Sequence, residues 1–274
     1  MDAAEHVGPR RRILMWAPPR SMSTAFERSV MQHPGVSVHH ELLADCFYFG
    51  SERHPKPLNA ALEASKLRRD ATYASQLAAL SSTASNAGKV VAFSKELSIY
   101  YQRERLPPSV LAQYTHCFLI RKPEKVVRSF LRSAAKSAAP GEAASSTYFD
   151  ADETGFVELD RLYQVVTQEL HATPVIVDAD DLLADPEGVL RAFYAAVGLP
   201  FDERVLSWPA EMPAQWTKWP GWHDEAAKST GFVPPKRAAA AHGAEAPPPL
   251  PEHAKKAVDL AQPIYDKLYA LCTR

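Results

Sequence analysis

Four charged side chains stand where short apolar runs end. Arg20 lies in Pro19-Arg20-Ser21-Met22-Ser23-Thr24, between the run Ile13-Leu14-Met15-Trp16-Ala17 and a helix-like stretch from Ala25 to Gln32. Lys95 follows Val90-Val91-Ala92-Phe93, and Arg121 follows the run from Tyr114 to Ile120. Glu41 comes just after the alternating stretch Val36-Ser37-Val38-His39. A strand, a tight turn and a helix start aim backbone N–H groups and the positive end of a helix dipole at one spot, which suits an anion. Here the turn adds a guanidinium and the hydroxyls of Ser21, Ser23 and Thr24. The glycines and lysine of a Walker A loop, G-x-x-x-x-G-K-[ST], are missing, so the expected anion is not the triphosphate of an ordinary ATPase.

Such residues converge only if a sheet brings its strand ends together. Ile13–Ala17, Val36–His39, Val90–Phe93, Tyr114–Ile120 and Pro174–Val177 read as short buried strands. Helices are expected over 25–32, with Thr24 and Glu27 matching a capping box, and over 60–80, 156–170 and 252–271. Pro123 opens another, with Val126, Val127, Phe130 and Leu131 on one face, and Pro186 opens one that Gly198 ends. Strand-helix alternation with short apolar strands predicts a three-layer α/β/α fold around a mostly parallel sheet. Ligands of such sheets lie beyond the carboxyl ends of the strands, where Arg20, Lys95 and Arg121 can meet.

The chain of 274 residues reads as one domain, 1–274, with 1–12 a polar lead-in and 238–251 a flexible Ala/Pro-rich loop. A net charge of −1 argues against nucleic-acid binding through a basic face. Cys46, Cys117 and Cys272 are odd in number and lack metal-ligand spacing, which predicts a reducing compartment and no structural zinc. The first apolar run is too short for a signal-peptide core or a membrane span. The expectation is a cytoplasmic protein without a membrane segment. Asp180, Asp181 and Asp185 resemble a metal cluster but sit where caps and turns are expected, so no metal is assigned. Trp208, Trp216, Trp219 and Trp222 read first as packing and second as a substrate platform.

The turn at Arg20 resembles the 5′-phosphosulfate loop of sulfotransferases, P-[KR]-S-G-T-T. Arg121-Lys122-Pro123 with Ser129 is similar to that family's second signature, R-x-P-x-x-x-x-x-S. The stretch 175–201, with its Asp-Leu-Leu-x-Asp-Pro run and Gly-Leu-Pro-Phe, resembles a later strand-helix unit of the family. Glu41 lies 21 residues after Arg20, the separation that tyrosylprotein sulfotransferases use for their catalytic glutamate. The resemblance implies a P-loop NTPase-like fold with 3′-phosphoadenosine-5′-phosphosulfate (PAPS) as donor. It further implies transfer of a sulfuryl group to a hydroxyl of a small-molecule acceptor by in-line displacement. Arg20, Ser21, Met22, Ser23 and Thr24 would hold the 5′-phosphosulfate, and Arg121 and Ser129 the 3′-phosphate. Lys95 would stabilise charge on the transferring group or the bridging oxygen, and Glu41 would take the acceptor proton. Lys228, Lys236 and Arg237 fit a C-terminal loop over the 3′-phosphate and fit solvated charges equally well.

The residues themselves leave the base open. A carboxylate among cations tends to a lowered pKa and weak basicity, whereas imidazole titrates nearer neutrality. If strand alternation continues through Glu41, His39 shares its face and His40 points away, which makes His39 the stronger rival. Met22 stands where the family has a small glycine, which predicts a loop of altered shape. Two other readings stay open: a non-catalytic nucleotide-binding module of the same fold, and a P-loop-like kinase.

Overall fold

The computed structural model describes residues 11–53, 67–68, 70–86, 88–137, 154–217, 222–232 and 248–274, excluding the side chains of 134–137. Five strands, β1 (Arg11–Ala17), β2 (Val36–His40), β3 (Val91–Leu97), β4 (Thr115–Ile120) and β5 (Val175–Asp178), form one sheet in the order β2-β3-β1-β4-β5. Every pairing is parallel. Their apolar runs follow from burial on both faces. Ile13, Met15, Phe93, Cys117 and Leu119 enter one core, and the alternate residues Leu14, Trp16, Ala92, Phe118 and Ile120 the other.

Helices cover both faces. α1 (Ser23–Val30) packs Phe26 and Val30 on the first core. α2 (Leu42–Tyr48) and α3 (Tyr73–Ala78) lie on the second. α4 (Pro123–Ser137) sends Val126 into that core, and α5 (Phe156–Gln164) joins it there. α6 (Ala179–Ala184) and α7 (Pro186–Ala196) return to the first. α8 (Asp224–Lys228) is short, and α9 (Glu252–Tyr269) closes the described chain. Because β1 is central, with β3 on one side and β4 on the other, the chain reverses its order across β1. That places the crevice at the ends of β1, β3 and β4.

Several boundaries differ from the sequence reading. Arg11 and Arg12 belong to β1 rather than to a solvated lead-in. Arg11 donates through NH1 to the carbonyls of Val197 and, at 2.8 Å, Gly198, so a cation meets the negative end of α7. Gly198 holds φ 67 there, and a Cβ would collide with that guanidinium. Arg12 donates to Ser81 Oγ at 2.7 Å and lies over the Tyr114 ring. β3 runs on to Leu97, so Lys95 is inside a strand. The expected helix 156–170 ends as α at Gln164 and continues as a π turn, Val165–Glu169. Of the expected loop 238–251, residues 238–247 lie outside the described residues, and Pro248 O accepts from Arg128 NH1 at 2.8 Å.

α2 had no signature in the sequence. Its first amides, Leu42 N and Leu43 N, donate to the Glu96 carboxylate at 2.9 and 3.1 Å, a cap supplied from another strand. Asp185 caps α7 through Gly188 N at 3.0 Å, the role expected for it, whereas the Asp180 side chain pairs with Lys125 at 2.9 Å. No helix among the described residues is long and apolar enough to cross a membrane.

Candidate active site

The segment from Pro18 to Met22 leaves β1 and turns sharply. Arg20 has φ 68 and Met22 φ 66, so two left-handed residues flank Ser21. Met22 is the N-cap of α1 and makes no side-chain cap bond. The methionine therefore keeps a conformation that glycine adopts freely, at a steric cost of about 1 kcal/mol. The expected Thr24–Glu27 capping box does not form. Thr24 Oγ1 instead lies 3.3 Å from His223 Nδ1, and Glu27 reaches His40. α1 starts just beyond the carboxyl end of β1, the position at which helix N-termini bind anions.

Arg121 follows β4 directly and donates through NH1 to Arg20 O at 3.0 Å. Arg20 donates through Nε to Ser129 Oγ at 3.3 Å and through NH1 to Trp222 O at 2.9 Å, with the Trp222 ring 5.7 Å from its guanidinium. Burial lowers the pKa of both arginines; the Arg121 and Arg132 charges lower that of Arg20 further, against Glu225. Two half-desolvated cations side by side favour an anion between them. Arg121 Nε and Ser21 Oγ are buried without a hydrogen-bond partner. The structure thus brings together Arg20, Ser21, Arg121 and Ser129. Lys228 is exposed on α8, and Lys236 and Arg237 lie outside the described residues.

A second cluster adjoins this one. His40 and Lys95 are paired across β2 and β3. The Lys95 ammonium forms an ion pair with Glu41 Oε1, and Tyr100 donates its hydroxyl to Glu41 Oε2 at 2.8 Å. Burial alone would raise the Glu41 pKa; Lys95 and then His40 more than offset it and hold the carboxyl at about 2. Glu27, fully buried on α1, accepts from His40 Nδ1 at 2.7 Å, Trp216 Nε1 at 3.2 Å and Gln215 Nε2 at 3.0 Å. His223 packs edge-on against His40, ring centroids 4.9 Å apart. Its pKa is pushed down to about 3 by burial, then by Lys95 and His40.

His40, not His39, stands beside Glu41. His39 points to Asn86, with Nε2 3.0 Å from Oδ1. The alternation argument fails because β2 stops at His40 and Glu41 turns to φ 44 as the N-cap of α2. Glu27, Tyr100 and His223 were not singled out as site residues, and Trp216 was read only as packing or a substrate platform. Glu27 carried a capping signal that masked it, and His223 sits in a segment without periodic pattern. Trp208 and Trp216 are buried packing residues, Trp222 covers Arg20, and Trp219 lies outside the described residues. Among the described residues no three His, Cys, Asp or Glu side chains are grouped to hold a metal ion.

A family model described as "Sulfotransferase domain" matches residues 11–245. The chain belongs to this sulfotransferase domain family. Two Arabidopsis thaliana proteins named branched-chain-amino-acid aminotransferase-like protein 2 and protein 1 are 29% and 27% identical to it over 233 residues. The match covers 81% of this chain but only 36% of either relative's length, so their name describes much larger proteins. Among solved structures, the fold is similar to a sulfotransferase from Alicyclobacillus acidocaldarius, with a TM-score of 0.55 and 14% identity. That match covers 97% of this chain and 96% of the other. The sulfotransferase domain of the Synechococcus PCC 7002 olefin synthase is also similar, with a TM-score of 0.51 and 18% identity over 94% of this chain and 97% of that one. The three-layer α/β/α architecture with a parallel sheet is therefore the P-loop-like fold of sulfotransferases.

Proposed function

We propose that this sulfotransferase uses PAPS as donor and passes its sulfuryl group to a hydroxyl of a small-molecule acceptor by in-line displacement. The observation that carries the reading is the pair Arg20–Arg121 with Ser129, next to the unpartnered Arg121 Nε and Ser21 Oγ. Two phosphate-bearing ends of one donor account for two arginines and a helix start in one crevice. Met22, Ser23 and Thr24 complete the loop around the 5′ end, and Arg121 and Ser129 take the 3′-phosphate. On this reading Lys95 would stabilise charge on the transferring group or the bridging oxygen, and preorganised cations of this kind act without reorganisation. A small acceptor suits a site whose Glu41 and Lys95 side chains are 6% and 1% exposed. Three free thiols suit a reducing, cytoplasmic setting.

Calorimetric titration with 3′-phosphoadenosine-5′-phosphate (PAP), beside ADP and ATP, tests the reading. Tight binding that requires the 3′-phosphate is the expected result. A preference for ATP overturns it and favours the kinase or the non-catalytic nucleotide-binding module, and no binding overturns it as well.

A further inference from the structure

Glu41 is poorly suited to accept a proton. Both of its oxygens are engaged, one by Lys95 and one by Tyr100, and its carboxyl sits at about 2. His40 is arranged differently. Glu27 is held below the ordinary carboxyl range, because His40, Lys95 and the Trp216 hydrogen bond outweigh the rise that burial would cause. An ionised carboxylate only accepts, so the 2.7 Å contact requires the hydrogen to be on His40 Nδ1. In the neutral ring the lone pair then lies on Nε2. That atom is buried, has no hydrogen-bond partner, and is 3.9 Å from Glu41 Oε1. Glu27 cannot swing away, since Trp216 and Gln215 hold its other oxygen.

His223 is the competing imidazole, and its Nε2 is also unpartnered. Its Nδ1 faces the Thr24 hydroxyl, which can donate or accept, so nothing fixes its tautomer. Of these two rings, His40 is the one with a carboxylate behind one nitrogen and a vacant lone pair on the other, the arrangement by which a third group orients a general base.

We propose, on the sulfuryl-transfer reading above, that His40 Nε2 accepts the acceptor's proton and that Glu27 is a positioning residue holding His40 Nδ1–H. As the acceptor oxygen bonds to sulfur, the bond from sulfur to the bridging phosphate oxygen breaks. The electron pair leaves on PAP, and the acceptor proton moves to Nε2. The imidazolium so formed is balanced by Glu27. The charged and titratable groups around it are Glu27 from α1, Lys95 from β3, Glu41 at the start of α2, and His223 before α8. The Trp216 and His223 rings pack against the His40 ring, whose Nε2 is buried, so an acceptor must displace part of what covers it.

Two-bond ¹H–¹⁵N spectra of the full chain labelled at histidine test the dyad directly. His40 is expected in the Nδ1–H tautomer; its signal should vanish in His40→Gln and lose that tautomer in Glu27→Gln. An Nε2–H tautomer for His40 overturns the proposal. Turnover of PAPS with phenol and with the more acidic 4-nitrophenol supplies the catalytic test. His40→Gln should lose about 10²- to 10⁴-fold with phenol and far less with 4-nitrophenol. Glu27→Gln should lower kcat with phenol while KM and PAP affinity hold. Equal losses with both phenols, or an acidity-dependent loss in Glu41→Gln instead, overturn the assignment. If wild-type protein fails to bind PAP, the sulfuryl-transfer reading falls and the catalytic role with it; if PAP binds and these signatures are absent, the dyad alone falls.

Discussion

Lys95 and Glu41 form an ion pair between neighbouring elements in which neither side chain is more than 6% exposed. Each charge is tolerated there because of the other. Removing one partner of such a pair leaves an uncompensated buried charge, at a cost of about 3–5 kcal/mol. Lys95→Met should therefore lower stability by that amount in urea unfolding, and adding Glu41→Gln should recover part of it. Acid titration of the wild type gives an independent check. The Glu41 carboxyl is depressed from an ordinary 4.5 to about 2. Its stabilisation is complete above pH 4.5 and is lost as pH falls from there through about 2. Stability measured at pH 5 and pH 3 should differ in wild type and differ less in Glu41→Gln.

Met22 holds φ 66 without glycine's freedom and is half-buried against the first core. Replacing it by glycine removes the steric cost but also the packing, so Met22→Gly should change stability by less than about 1 kcal/mol. Met22→Val should cost about 1–2 kcal/mol more than Met22→Gly, since a β-branched side chain resists the left-handed region. Urea unfolding of the two variants checks this; equal stability would mean that the backbone at Met22 is not held left-handed.

Much of the scaffold could be read in advance because buried parallel strands write themselves as apolar runs. The strand from Tyr114 to Ile120 is off by one residue, and Arg20 and Arg121 were found because they follow such runs. What sequence did not show was whatever depends on partners distant in the chain. Glu96 caps α2 from another strand, so Leu42 to Tyr48 carries no local start signal. His223 enters the site from a Trp- and Pro-rich segment whose place is fixed by docking against distant residues such as Arg20, Thr24 and His40. His39 and His40 exchanged roles because one left-handed residue, Glu41, breaks the alternation on which their ranking rested.

His116 is the second residue of β4, and both of its ring nitrogens are used. Trp16 Nε1 donates to Nδ1 at 3.1 Å, and Nε2 lies 3.0 Å from Leu111 O, which can only accept. The ring is therefore neutral with its hydrogen on Nε2. Burial pushes its pKa down from 6.5 to about 4, against the Leu111 hydrogen bond. A second proton would confront the Trp16 N–H. Since the unfolded ring titrates first, this stabilisation is full above pH 6.5 and fades as pH falls through about 4. The loss is about 3 kcal/mol. Melting temperature should fall between pH 7 and pH 5 in wild type, and His116→Gln should flatten that slope.

Arg121 has one terminal nitrogen committed to Arg20 O and an Nε without a partner, so its planar fork can still serve a ligand. Lysine keeps the charge but not the fork. If Arg121 holds the 3′-phosphate, Arg121→Lys should weaken PAP binding by about 10- to 100-fold, the loss of one charge-assisted contact of about 1.5–3 kcal/mol. Binding of adenosine 5′-phosphosulfate, which lacks the 3′-phosphate, should change by less than about threefold. Equal losses for the two ligands would assign Arg121 to holding the Arg20 turn in shape and would remove it from the 3′-phosphate contact.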